Sequence, residues 1–164
     1  LNNAALVASL GSMKILWELL AVPSLPSSEW YLQHFLENCL DLEDGRTYPS
    51  HGPRFPRWRG TLCQFLSSAI PDARRQHLTV PQVLRGWGSG PYVLEMVPSW
   101  LYILERHAHE PEVAMSLAVS DTVEPHSLGA LVGAALGALH GPRPGWLLSD
   151  ELERELNLTR DRWF

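Results

Sequence analysis

Apolar positions along this chain recur at three- and four-residue spacings, and no stretch alternates convincingly as a half-buried strand would. Residues 13–22 predict a helix with Ile15, Leu16, Leu19 and Leu20 on one face and Lys14 and Glu18 together on another. Pro23 and Pro26 stop it, and Ser27 or Ser28 caps a second helix running to about residue 42. Its apolar set is Tyr31, Leu32, Phe35, Leu36, Cys39 and Leu40. A third helix spans 61–70 and closes at Pro71. Thr79-Val-Pro-Gln82 forms a capping box, a hydroxyl three residues before a glutamine, and launches a short helix to Arg85. After the break Gly86-Trp-Gly-Ser-Gly90, a long helix begins at Pro91 and runs to about His107, with Pro98 expected to kink or split it. Pro111 starts another helix, a glycine-striped one follows residue 127, and Ser149 caps a last acidic one before a tail from Thr159. The expectation is an all-α, compact multi-helix domain of eight or nine helices.

Residues 44–59 break the periodicity. Gly45, Pro49, Gly52, Pro53 and Pro56 interleave there with Arg46, Arg54, Arg57, Arg59 and the aromatics Tyr48, Phe55 and Trp58. Loops longer than about 12–15 residues are uncommon in compact domains. Arginine among aromatics suits a phosphate or a nucleobase. The plainer expectation is an ordered surface loop pinned by Phe55 and Trp58.

The stretch from Asp121 to Gly141 carries the strongest functional signal. A polar loop with Asp121, Glu124, His126 and Ser127 opens into a helix of small and aliphatic residues, with Gly129, Gly133 and Gly137 on one stripe. Each glycine costs about 1 kcal/mol of helix propensity relative to alanine, so the stripe predicts close approach of another backbone. The helix as a whole reads as the buried axis of the domain. Its N-terminus favours anions, and carboxylates with a hydroxyl on a short loop are oxygen donors of the kind Mg²⁺ takes. Simple N-terminal capping accounts for the same residues without a metal.

Composition bounds the function. At 164 residues the chain suffices for one well-buried domain, and its net charge of −5 argues against a nucleic-acid partner. Two cysteines, Cys39 and Cys63, make no disulfide framework and read as buried thiols in a reducing, cytoplasmic setting. No apolar run reaches the roughly 20 residues of a membrane span. The start, Leu1-Asn2-Asn3, shows no signal peptide and no initiator methionine, so an N-terminal truncation of a larger protein is expected. His107 and His109 sit two apart on a helix and point in different directions, which speaks against chelation. No nucleophile elbow, P-loop or dinucleotide fingerprint occurs.

The segments Gly90-Pro-Tyr-Val-Leu-Glu-Met-Val-Pro-Ser-Trp-Leu-Tyr-Ile-Leu104 and Asp121 to Gly141 resemble the C-terminal half of the ADP-ribosylglycohydrolase family, a likeness running from about Ala4 to Trp146. The resemblance implies an all-helical enzyme that uses two Mg²⁺ (or Mn²⁺) ions to hydrolyse the N- or O-glycosidic linkage of ADP-ribose to its substrate. The family's late signature, an Asp-x-Asp-Thr/Ser loop running into a Gly/Ala-rich helix that ends Gly-Ala-x-x-Gly, has its ending here as Gly137-Ala-Leu-His-Gly141. By that resemblance Glu124 stands at the first aspartate, His126 at the second and Ser127 at the Thr/Ser position, with Asp121 as a further metal donor. Histidine suits Zn²⁺ better than Mg²⁺. The family's N-terminal metal motifs, a Gly-Asp-rich start and a Thr/Asp/Asp cluster, do not occur. By the same resemblance the turn Gly88, Ser89 and Gly90 with Tyr92 and Glu95 lies beside bound ADP-ribose. The plain reading of that turn is a tight interhelix connection with Tyr92 in the core. Two functions are therefore carried forward: a metal-assisted glycohydrolase impaired as this chain alone, and a non-catalytic ADP-ribose- or protein-binding module on the same scaffold.

Overall fold

A computed structural model describes residues 2–141. The expected last helix from Ser149 and the tail from Thr159 lie outside them. Seven α-helices account for nearly all regular structure: α1 (Asn3–Leu19), α2 (Ser28–Cys39), α3 (Leu62–Arg75), α4 (Val80–Trp87), α5 (Val93–His107), α6 (Pro111–Ser120) and α7 (Pro125–His140). A single 3-10 turn, Leu40–Leu42, extends α2. Among the described residues the one departure from helix is a pair of two-residue strands, β1 (Tyr48–Pro49) and β2 (Arg59–Gly60), antiparallel, with Tyr48 opposite Gly60.

The buried axis is α5, not α7 as the sequence suggested. From Leu94 to Glu105 every residue of α5 but Met96 is buried, and α1, α2, α3, α4, α6 and α7 all pack against it. A helix apolar on all sides, with Trp100, Leu101, Tyr102, Ile103 and Leu104 in succession, has nowhere to go but the centre. Pro98 sits inside α5 and does not split it. By contrast α7 buries Leu128, Gly129, Val132, Ala135 and Leu136 and leaves Ala130, Ala134 and Gly137 exposed. Alanine and glycine made this helix look core-like, yet they are small enough to face water at little cost.

The glycine stripe is correspondingly graded. A Cβ on Gly129 would lie 2.9 Å from a Val119 methyl of α6, one on Gly133 would make ordinary contact with Met115, and one on Gly137 would meet nothing within 4 Å. Close approach is needed at one end only, and by a side chain. Where two helices do close on a glycine is Gly11 of α1, whose added Cβ would fall 2.5 Å from Cys39 Sγ and from the Phe35 ring of α2.

That packing explains why α1 begins at Asn3, ten residues before the expected start. Ala4, Val7, Ala8, Gly11 and Ser12 are small so that α2 and α5 can approach, and they are buried for that reason. The outer face of α1 instead carries Leu6, Leu10, Met13 and Trp17, all exposed, and is continued by its C-cap Leu20; expected on one face with Ile15 and Leu19, which are buried, Leu20 is 68% exposed.

Pro71 does not end α3, which continues to Arg75. The carbonyl that Pro71 cannot serve belongs to Ser67, which is exposed and so open to solvent. The capping box at Thr79 forms as read, with Gln82 Oε1 accepting from the Thr79 N–H at 2.8 Å, and α4 reaches Trp87 rather than Arg85. A second capping box, at Thr61 and Gln64, opens α3. Glu43 reinforces it by accepting from the Cys63 N–H at 2.9 Å and from the Thr61 hydroxyl, so this carboxylate is structural.

The 44–59 loop is ordered in the way its aromatics predicted. Phe55 and Trp58 both meet Phe65 edge-on, at 5.4 and 4.8 Å between ring centres. Among the described residues no helix is long and apolar enough to cross a membrane.

Candidate functional site

The glycine-rich turn between α4 and α5 is shaped by one carboxylate. Gly88 has φ +90°, and a Cβ there would fall 2.5 Å from Glu95 Cδ, so glycine meets both a conformational and a spatial demand. Glu95, in the first turn of α5, folds back and accepts from the Gly90 N–H at 2.8 Å, remaining only 9% exposed. Tyr92 at the N-cap of α5 donates its hydroxyl to the Pro49 carbonyl at 2.9 Å. Burial raises the pKa of that hydroxyl, with the nearby Glu95 charge adding to it. Tyr92 is half-buried, so it is neither the core residue of the plain reading nor fully open.

The 44–59 loop closes over this turn. The backbone of Trp87 lies so near Gly52 that a Cβ would come within 2.3 Å of the Trp87 carbonyl oxygen. The Arg54 N–H donates to the Gly86 carbonyl at 2.9 Å. The Arg54 guanidinium, Nη2 to Oδ2 at 3.0 Å, holds the Asp72 carboxyl below its ordinary pKa. His51 stacks on Tyr92, ring centres 4.2 Å apart and planes 19° from parallel, and its Nδ1 is 3.6 Å from Glu95 Oε1. Sequence reasoning missed His51. The only signal was its position among arginines and aromatics in an aperiodic segment.

The loop before α7 docks on the same turn through Ser89, which is buried. The Ser89 carbonyl accepts from the Thr122 hydroxyl at 2.9 Å and from the Glu124 N–H at 3.0 Å, while Ser89 Oγ accepts from the Val123 N–H at 3.0 Å. Two stretches read separately from the sequence are therefore one structure.

The proposed metal donors are arranged as follows. Glu124 occupies the N-cap of α7 without its side chain capping the helix, and its Oε1 accepts from the Ser127 hydroxyl at 3.3 Å. Asp121 and His126 are exposed. Among the described residues no group of three or more His, Cys, Asp or Glu side chains is gathered to hold a metal ion. Mg²⁺ asks for near-octahedral oxygen ligands, and this donor set does not fit a two-ion centre. His107 Nδ1 and His109 Nε2 each lie 3.3 Å from Glu110 Oε2, a surface contact that the reading of the pair had not included.

The sequence model of the family described as ADP-ribosylglycohydrolase matches residues 6–154. The chain belongs to that family. The match covers most of the chain, from Leu6 in α1 through α7, and makes the likeness of the glycine-rich turn and of α7 part of one continuous relationship. Within the ADP-ribosylglycohydrolases, hydrolases that are generally metal-dependent, this member carries Glu124, His126 and Ser127 on the loop before α7. No curated protein and no solved structure matches it.

Proposed function

We propose that this chain is an ADP-ribosylglycohydrolase-like protein that binds ADP-ribose, or an ADP-ribosylated group, at the Ser89 junction and is impaired in hydrolysis as this chain alone. The observation that supports binding is the junction itself. Three hydrogen bonds to Ser89 hold the turn bearing Gly88, Gly90, Tyr92 and Glu95 against the N-terminal end of α7. An aromatic ring and the positive end of a 16-residue helix are then held to one turn, which is what a nucleoside carrying phosphates needs. Impairment follows from the donor set. Glu124 is engaged by Ser127, and His126 and Asp121 are turned to solvent. Magnesium would supply electrophilic activation of the glycosidic bond in a family member with a full set of carboxylates; Glu124, Asp121 and Ser127, with His126 in place of a carboxylate, do not make up that set.

Calorimetry with ADP-ribose, with and without Mg²⁺ or Mn²⁺, tests this. Binding that is independent of metal supports the proposal. Metal-dependent binding, together with metal-dependent release of ADP-ribose from an ADP-ribosylated peptide, would make the chain an autonomous hydrolase, and no heat in either condition would remove the site. A second reading, an interaction module on the same scaffold, is favoured by the exposed row Leu6, Leu10, Met13 and Trp17 on α1 with its C-cap Leu20. Light scattering of the chain and of a Trp17→Glu variant tests it, with a mass difference expected only if that row is a contact surface.

A further inference from the structure

The position of His51 changes which residue meets the ligand. Its neighbours are both fixed. Ser50 is buried, its N–H donates to the Trp58 carbonyl at 2.9 Å and its hydroxyl accepts from the Gly52 N–H at 3.3 Å. Gly52 is buried against the Trp87 backbone, where no side chain fits. Between these two anchors His51 projects outward with 56% of its side chain exposed. A histidine on a free loop would sample many rotamers, but this one lies flat on Tyr92, which is itself tied to Pro49. Glu95 stands beside its Nδ1 and is in turn fixed by Gly90. The result is a two-ring stack built on buried supports, with the imidazole outermost.

The covered face of Tyr92 is consequently unavailable to a ligand, and the accessible aromatic face beside the glycine-rich turn is that of His51. Arg59 lies across from Pro49 in the strand pair, exposed, with its Nε donating to the Thr47 hydroxyl at 3.1 Å. An accessible π-surface on a segment that also carries arginine suits a nucleobase attached to a phosphate. The geometry points to His51 as the base-stacking, specificity-determining residue of this site, with an adenosine phosphate as ligand class. The inference rests on the ADP-ribose reading above and assigns base recognition to His51 of the 44–59 loop rather than to Tyr92 of the glycine-rich turn.

The test is calorimetric titration of the wild-type chain, His51→Ala and His51→Phe with ADP-ribose, AMP and ribose 5-phosphate. Removing a base-stacking aromatic side chain weakens binding by roughly 5- to 100-fold. His51→Ala is expected to lose about that much for AMP and ADP-ribose and nothing for ribose 5-phosphate. His51→Phe, which keeps a π-face but not the Glu95 contact, is expected to retain AMP binding within a few-fold. Equal AMP affinity in wild type and His51→Ala overturns the inference while leaving the ADP-ribose site standing. So does wild-type affinity for ribose 5-phosphate equal to that for AMP. A parallel loss for AMP and ribose 5-phosphate in His51→Ala, with an unchanged unfolding midpoint, also overturns it, because the residue would then serve loop structure and not the base. No binding of any of the three by the wild-type chain overturns both readings together.

Discussion

The N–H of Glu124 donates to the carbonyl of Ser89 at 3.0 Å, backbone to backbone, across 35 positions of sequence. That bond, with the Thr122 hydroxyl on the same carbonyl, ties the start of α7 to the entrance of α5. Neither residue is apolar, so no hydrophobic pattern announces the contact.

Thr122→Val removes one of the two donors on the Ser89 carbonyl and keeps the side-chain shape. A hydrogen bond of this kind contributes about 1 kcal/mol net, and the bond from the Glu124 N–H to the Thr122 hydroxyl oxygen at 3.2 Å is lost with it. Urea unfolding is expected to show a fall of about 1–2 kcal/mol, and amide exchange at Val123 and Glu124 is expected to quicken. Unchanged exchange there would mean the junction is held by something other than these bonds.

The glycines separate into required and dispensable ones. Gly52→Ala places a Cβ 2.3 Å from the Trp87 carbonyl oxygen, and Gly88→Ala places one 2.5 Å from Glu95 at φ +90°. Both are expected to destabilise by about 1–3 kcal/mol or more and to displace the loop from the turn. Gly137→Ala meets nothing within 4 Å in the last turn of α7 and is expected to stabilise by up to about 0.5–1 kcal/mol from helix propensity alone. Thermal unfolding of the three variants checks the contrast, and a destabilised Gly137→Ala would contradict it.

Arg74 holds Glu105, a carboxylate whose side chain is 3% exposed, with Nη2 2.6 Å from Oε2 and a second bond from Nε. Burial pushes the Glu105 pKa up, and the Arg74 hydrogen bond and charge pull against that shift. Arg74→Ala leaves the carboxylate without its cation and is expected to cost about 3–5 kcal/mol at pH 7. A raised folded-state pKa means the protonated form is favoured in the native protein. The contribution is therefore complete below the unfolded value and lost as pH rises through the folded one. The penalty of Arg74→Ala should accordingly shrink as pH falls from 7 toward the ordinary carboxylate range. Urea unfolding at pH 7 and at about pH 4.5 measures it, and an equal penalty at both would show that Glu105 is not the group responsible.

Cys39 and Cys63 are buried free thiols, and burial pushes Cys39 up to about 11 and Cys63 higher still, with Glu43 reinforcing both. Thiolate is the reactive form, so neither should react with a thiol reagent at pH 8 until the chain is unfolded. Rapid labelling of the native protein would contradict the packing of α1 against α2, where the Cys39 thiol donates to the Val7 carbonyl at 3.7 Å.

The helical class, the Thr79 box, the chain breaks at Pro23 and at the glycine-rich turn, and the pinning of the 44–59 loop by Phe55 and Trp58 were all written in local sequence. Spacing, capping residues and turn chemistry act over a few positions, and so could be read there. The likeness of Gly90–Leu104 and of residues 121–141 to one enzyme family was legible for the same reason, and the family match extends it. Which helix lies at the centre was not legible, because α5 and α7 are both apolar and differ only in how much bulk their neighbours must enclose. The early start of α1 was hidden because its packing face is made of residues too small to register as hydrophobic. The joining of Ser89 to residues 122–124 and the stacking of His51 on Tyr92 depend on polar and aromatic groups more than thirty positions apart. Only the packing of the intervening helices around α5 brings such groups within hydrogen-bonding or stacking distance. A linear sequence contains no term for that separation, so the site's scaffold could be read from it, but not the residues that complete the site.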